Sequence, residues 1–195
     1  MSIAVDVVSD RAEAALTLIN LAMGQHQREI SNLVAGQPKR LSTDVHDAKH
    51  SLRQSTIVRV ASITEAFCVD RLMAMAVKEL EPDKSVVRRA MFDEALRGAT
   101  GTWSSIRKAF ADWHGVKPNW KSLEGVQEVR NAIAHGLGRF THRQISSRTA
   151  TVQRIRQIGL DVDSDDRIVL VDGDVLRVSL VCKQLIRDVD EGTRG

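Results

Sequence analysis

Apolar residues recur every three or four positions along most of the 195-residue chain, the period of helices that bury one face. From a cap at Ser9 or Asp10, the positions Leu16, Ile19, Met23, Ile30 and Leu33 predict a first helix running to about Val34. Gly36-Gln37-Pro38 breaks it. A long second helix is expected from the Ser42 to Asp44 cap to about Leu80. Its second half, IVRVASITEAFCVDRLMAMAV, is apolar nearly all round, as the central helix of a bundle must be. Glu81-Pro82-Asp83 makes a turn into a third helix from about Ser85 to Leu96, stopped by Gly98. Gly101 precedes a fourth, Thr102 to His114, with Trp103, Ile106, Phe110 and Trp113 on one flank, and Gly115 to Lys121 reads as a compact loop.

The stretch from Ser122 to Arg143 organises the rest. Leu123, Val126, Val129, Ile133 and Leu137 form one inward stripe of a helix that Gly136 and Gly138 end. At about 100° per residue, Glu124, Glu128, Asn131 and His135 line up beside that stripe, while Arg130 falls inside it. A guanidinium so placed needs a carboxylate partner. Glu65, the lone carboxylate among Ile63, Phe67 and Met73 of the central helix, is the expected one, against local pairing with Arg59 or Arg71. His135 lies in the last turn, where the negative end of the helix dipole favours imidazolium. Arg130 and His135 stand about 140° apart on an ideal helix, so they meet one phosphate only where the helix lies across a dimer seam or unwinds near Gly136.

Beyond this stretch, Thr149 to Ile158 predicts a short Arg-rich helix closed by Gly159. Arg167 to Val171 and Val175 to Val178, flanking Asp172-Gly173-Asp174, predict a β-hairpin, and Val178, Val181, Leu185, Ile186 and Val189 a last helix. No repeat or linker divides the chain. The expectation is one all-α domain over residues 1–195, an antiparallel helical bundle with additional short helices and a small β-hairpin near the C-terminus.

Composition adds little to that picture and charge adds more. Aromatic residues are sparse, with no Tyr, so Ala, Val, Ile and Leu must fill the interior. The formal charge of +3 is too small to indicate a nucleic-acid partner by itself. Its distribution is more telling: Arg139, Arg143, Arg148, Arg154 and Arg156 follow the central motif without a carboxylate among them, and six Asp between Asp161 and Asp174 face only Arg167. The first block reads either as a solvated helix face paired with the second or as a phosphate track beside a site, with Arg139, Arg143 and Arg148 as RNA-binding positions. Cys68 and Cys182 read as reduced core thiols. With no secretory pattern at MSIAVDVVSD and no membrane-length apolar run, a cytoplasmic protein without membrane contact is expected.

Other motifs weigh against most alternatives. His46 and His50 have chelating spacing with Asp44 and Asp47 nearby, but no third ligand is identifiable, so no metal site is expected. Patterns for nucleotide triphosphates, dinucleotides and nucleophilic serine are absent. Trp103, Trp113 and Trp120 read first as core staples and only second as base-stacking platforms.

The run Arg130-Asn131-Ala132-Ile133-Ala134-His135, followed by Gly136, resembles the signature of HEPN domains, in which an Arg precedes a His by four to six residues and Asn often follows the Arg. The segment Trp103 to Trp120 before it and Leu-Gly-Arg-Phe-Thr after it look like the RiboL-PSP-HEPN branch. That resemblance implies a dimeric, cofactor-free endoribonuclease that cleaves RNA without metal and leaves a 2′,3′-cyclic phosphate. His135 would be its general acid or base. Arg130 would stabilise phosphate or anchor the site through Glu65, and Asn131 would orient His135 or a phosphate oxygen. It also implies a toxin or phage-defence role, with an antitoxin or effector partner in control. The alternative it leaves open is a non-catalytic RNA- or protein-binding or dimerisation module, and a helical protein outside this family is a third.

Overall fold

The computed structural model describes residues 8–35, 42–80 and 85–194, with no side-chain description for residues 42–46 and 79–80. The expected breaks at Gly36 to Pro38 and Glu81 to Asp83 lie outside the described residues, as does the side chain of His46. Among the described residues eight helices and one small hairpin follow in order: α1 (Asp10–Ala35), α2 (Ser42–Leu80), α3 (Val86–Thr100), α4 (Trp103–His114), α5 (Lys121–Gly136), α6 (His142–Ser146), α7 (Arg148–Gln157), β1 (Asp161–Val162), β2 (Ile168–Val169) and α8 (Asp172–Gly192). The fold is all-α, as the apolar period predicts.

The central helix is α2, which packs against α1, α3, α4, α5 and α8. Its Ile57, Val60, Cys68 and Leu72 are fully buried against Ile19 of α1, Val126 and Val129 of α5, and Val178, Cys182 and Ile186 of α8 in one continuous core. Both cysteines are free thiols within it. Burial pushes the Cys182 thiol up to about 11 and the Cys68 thiol higher still, so neither is a nucleophile at neutral pH. The start of α1 is fixed from the other end of the chain, where the buried Asp190 of α8 accepts from the Ser9 backbone N–H at 3.0 Å and from the Ser9 hydroxyl.

Two expectations about helix ends change. Gly98 does not stop α3, which continues to Thr100 and Gly101; a glycine inside a helix costs only about 1 kcal/mol relative to alanine. The last helix starts at Asp172, not near Val178, so Val175 to Val178 form its first turns and not a strand. Helical chemistry wins there. Asp172 and Asp174 sit at the positive end of the helix dipole, Asp174 Oδ2 accepts from the Val171 N–H at 2.8 Å, and Val175, Val178 and Cys182 continue a buried stripe of period 3.6.

The hairpin near the C-terminus lies one step earlier. β1 pairs antiparallel with β2, Asp161 opposite Val169 and Val162 opposite Ile168, around a turn in which Asp163 Oδ1 accepts from Asp165 N–H and Arg167 N–H, both at 2.9 Å. The hairpin also grips the segment leaving α5. Ile168 N–H donates to the Gly138 carbonyl at 2.9 Å, Phe140 N–H to the Asp166 carbonyl at 2.9 Å, and Arg139 and Arg167 form an isolated antiparallel bridge.

Candidate functional site

α5 is both core and site. Leu123, Val126, Val129 and Ala132 are buried and hold the helix down, whereas Ile133 is half-buried and Leu137 is 92% exposed. Leu137 leaves the expected stripe because it is the C-cap, in the left-handed region at φ 53°, which turns its side chain away from the core. Gly138 follows at φ 86°, and a Cβ there would stand 2.6 Å from Gln54 Nε2. The positive φ is what favours glycine there, since the Gln54 amide is the end of a flexible side chain that can move aside.

On the polar side, Arg130, Asn131 and His135 come together. Arg130 Nη1 donates to Asn131 Oδ1 at 3.2 Å and lies 3.2 Å from His135 Nε2. The expected 140° separation holds for the helix path but not for the side chains, because the long arginine stem reaches around the helix. A guanidinium has no acceptor, so His135 Nε2 must accept. The contact therefore leaves Nδ1, not Nε2, as the ring's hydrogen-bond donor. His135 is exposed, while Arg130 and Asn131 are half-buried.

These residues line a polar cavity of about 810 Å³ between α4, α5, α6 and α7. Glu65 reaches it from α2, Trp103 and Thr102 from the start of α4, and Arg143 and Gln144 from α6. The expected pairing of Glu65 with Arg130 is not made: they share the cavity wall, but no ion pair or hydrogen bond joins them. Among the described residues Glu65 pairs with neither Arg59 nor Arg71. Arg59 donates to Gln25 Oε1 at 2.8 Å, and Arg71 is taken by Thr193, through its hydroxyl at 2.7 Å and its carbonyl at 2.9 Å.

The basic segment divides. Arg143 lines the cavity beside Arg130. Arg148 is held by Asp166 at 2.7 Å and faces away from the cavity, and Arg139 is exposed on the strip bridged to Arg167. Arg154 lies at the cavity wall but is neutralised by Glu128 at 2.8 Å and Glu124 at 3.6 Å, the latter also held by Arg107 at 2.6 Å. Of the three expected RNA-binding arginines, the structure brings only Arg143 to the site. Pairing between the basic and acidic blocks accounts for Arg148.

Two glutamines escaped the sequence reading. Gln144 is buried and ties α6 to α5, donating to the Glu128 carbonyl and to Glu128 Oε2, each at 2.8 Å, while its Oε1 accepts from Thr141 N–H at 3.0 Å. Gln127 lies one turn before Asn131, and its Nε2 is buried at the cavity with no hydrogen-bond partner among the described residues. Its position four residues ahead of Asn131 was the available signal. Of the tryptophans, Trp120 is the core staple expected, Trp103 is a half-buried cavity wall standing edge-on to it with ring centroids 6.4 Å apart, and Trp113 is 40% exposed. His50 Nε2 lies 2.9 Å from Gln54 Nε2, and among the described residues no three His, Cys, Asp or Glu side chains are grouped to hold a metal ion.

No protein-family model matches the chain, and no curated protein and no solved structure is significantly similar to it. Among the described residues no helix is long and apolar enough to cross a membrane.

Proposed function

We propose that this chain is an endoribonuclease that cleaves RNA without a metal ion, through His135 and Arg130 at the seam of a homodimer in the cytoplasm. One observation carries the reading: an exposed histidine, held as a proton acceptor by a cavity-lining arginine 3.2 Å away, at the mouth of a cavity large enough for a nucleotide. The HEPN resemblance of Arg130-Asn131-Ala132-Ile133-Ala134-His135 supports the same chemistry.

Cleavage by the ribose needs three things: a base for the 2′-hydroxyl, an acid for the leaving oxygen, and a cation for the phosphorane. His135 Nε2 takes the 2′-hydroxyl proton as O2′ attacks phosphorus. Arg130 turns from the imidazole to the non-bridging oxygens, with Arg143 beside it. The P–O5′ bond breaks and O5′ receives a proton from the protonated His135 of a second chain, leaving a 2′,3′-cyclic phosphate and a 5′-hydroxyl. One histidine supplies one proton-transfer role, which is why the reading requires two chains. Leu137, 92% exposed two residues from His135, offers the apolar contact for that seam. A toxin or phage-defence effector restrained by a partner protein fits this activity.

The other reading, a non-catalytic RNA- or protein-binding module, draws support from the ion pairs that neutralise Arg148 and Arg154. One experiment separates the two: incubation of a mixed RNA pool with purified protein in excess EDTA, beside His135→Ala shown to be folded by circular dichroism. Cleavage that survives chelation and disappears in the variant is the expected result. Equal inertness of both proteins overturns the enzyme.

A further inference from the structure

The inner wall of the cavity contains three groups that the cleavage chemistry does not use. Glu65 is a half-buried carboxylate with no hydrogen bond or ion pair to any described residue, although its neighbours on α2 are apolar. Gln127 presents a buried amide nitrogen with no partner. Trp103 supplies a flat face braced edge-on by Trp120. All three also line a narrow recess at the back of the cavity, together with Arg130 and Asn131. A buried amide nitrogen without a partner costs free energy in the free chain, and beside an unpaired carboxylate at a cavity it marks where a ligand supplies the missing bonds.

We propose that this wall is a guanine-recognition pocket, an inference that rests on the reading of the chain as an RNA-cleaving protein. A carboxylate only accepts, and guanine alone among the four RNA bases offers two adjacent donors, N1–H and the N2 amino group, next to an acceptor, O6. Glu65 takes the two donors and Gln127 Nε2 donates to O6. Adenine and cytosine place an unprotonated ring nitrogen beside their amino group, which a carboxylate repels, and uracil offers a single N–H between two carbonyls. The base face stacks on the Trp103 indole, as single-stranded RNA bases do on aromatic side chains. With the base at that wall, its phosphate lies on the side of Arg130 and Arg143, so the guanosine is the nucleotide at the cut.

The test is binding of guanosine, adenosine, cytidine and uridine monophosphates to the full chain, followed by tryptophan fluorescence and isothermal titration, with cleavage sites mapped on the same RNA pool. GMP should bind at least about tenfold more tightly than the other three. Folded Glu65→Gln should lose that preference, and cuts should fall beside guanosine. Should Glu65→Gln not fold, Gln127→Met carries the test with a loss of about tenfold in GMP affinity. Equal binding of the four nucleotides, or a folded Glu65→Gln that keeps the preference, overturns the pocket. RNA cleaved without guanosine bias overturns the pocket and leaves the ribonuclease standing. Selective GMP binding by a chain that cleaves nothing supports the pocket and overturns the ribonuclease.

Discussion

Gly125 lies so close beneath Arg154 that a Cβ on it would stand 2.5 Å from the Arg154 carbonyl oxygen and 3.0 Å from Ile158. This is where α7 crosses α5, one turn before the polar face of the site helix. Alanine at Gly125 would gain about 1 kcal/mol of helix propensity but would force two backbones apart, and overpacking of that kind costs about 1–3 kcal/mol. Gly125→Ala should therefore lower the thermal midpoint. It should also reduce cleavage, since the Arg154–Glu128 pair and the Gln144 link to α5 both depend on that approach. Thermal unfolding and the RNA assay measure the two effects. A more stable variant would show that α7 can move away freely.

The pair at the site makes a sharper prediction about chemistry. His135→Ala should reduce RNA cleavage by at least about 100-fold, the usual yield of a positioned acid or base. Because His135 is exposed, stability should change by no more than about 0.5 kcal/mol. Arg130→Lys keeps a cation but loses the planar, longer-reaching guanidinium whose Nη1 meets both His135 and Asn131, so cleavage should fall by a similar order without loss of fold. Retention of full activity by Arg130→Lys would reduce Arg130 to a point charge.

Leu137 holds the left-handed conformation with its side chain in solvent, a combination that costs about 1–2 kcal/mol of backbone strain and recovers nothing by burial. Leu137→Gly should raise the unfolding free energy by about 0.5–1 kcal/mol, after allowance for the greater freedom of glycine in the unfolded chain. If the dimer seam includes this residue, the same variant should lose specific activity on dilution earlier than wild type does. Denaturant titration and activity against protein concentration read the two effects separately.

His26 gives the pH prediction. It is 4% exposed, its Nδ1 lies 3.1 Å from the Thr56 hydroxyl, and its Nε2 is buried without a partner. Burial lowers its pKa; Asp172 and Glu29 act in the opposite sense, and Arg53 lowers it further. The unfolded chain therefore takes up a proton that the folded chain refuses, so stability rises with pH across that interval. The contribution is complete above the unfolded value of about 6.5 and is lost progressively as pH falls below it. His26→Leu should flatten this part of the stability curve, while the separate loss from the Arg53–Asp172 pair, whose carboxyl is held below its ordinary range by the guanidinium, appears only at more acid pH. Denaturant unfolding of both proteins between pH 7.5 and 5 checks the difference.

Much of this architecture could be read from residue spacing, because helices announce themselves by period and caps. Ser85 and Thr102 cap α3 and α4 as their positions suggest, and the near-continuous apolar run in α2 does mark the central helix. Misreadings arose where two local signals competed. Asp172-Gly173-Asp174 suits a hairpin turn and a helix start equally, and only the buried stripe beyond it decides. At the site, helix angles located the polar face but not the reach of Arg130, since angular position fixes where a side chain leaves the backbone and not where its end arrives. Gln144 was silent because an uncharged amide carries no pattern until its neighbours are known, and Gln127 offered only its spacing from Asn131. The division of the arginines depended on long-range partners such as Asp166, which no local pattern encodes.

The grip of the hairpin on the strip after α5 gives synthesis a direction. The Gly138 carbonyl and the Phe140 N–H find their backbone partners in Ile168 and Asp166, which leave the ribosome after them. The turn that carries His135 is thus fastened by a later part of the chain, and α8, which follows the hairpin, must also arrive before the core around α2 closes. A nascent chain halted anywhere between the two would hold the whole Arg130 to His135 motif on a helix whose C-terminal turn still lacks the hairpin. If the chain cuts RNA as proposed, that order delays an ordered site until the hairpin has been made.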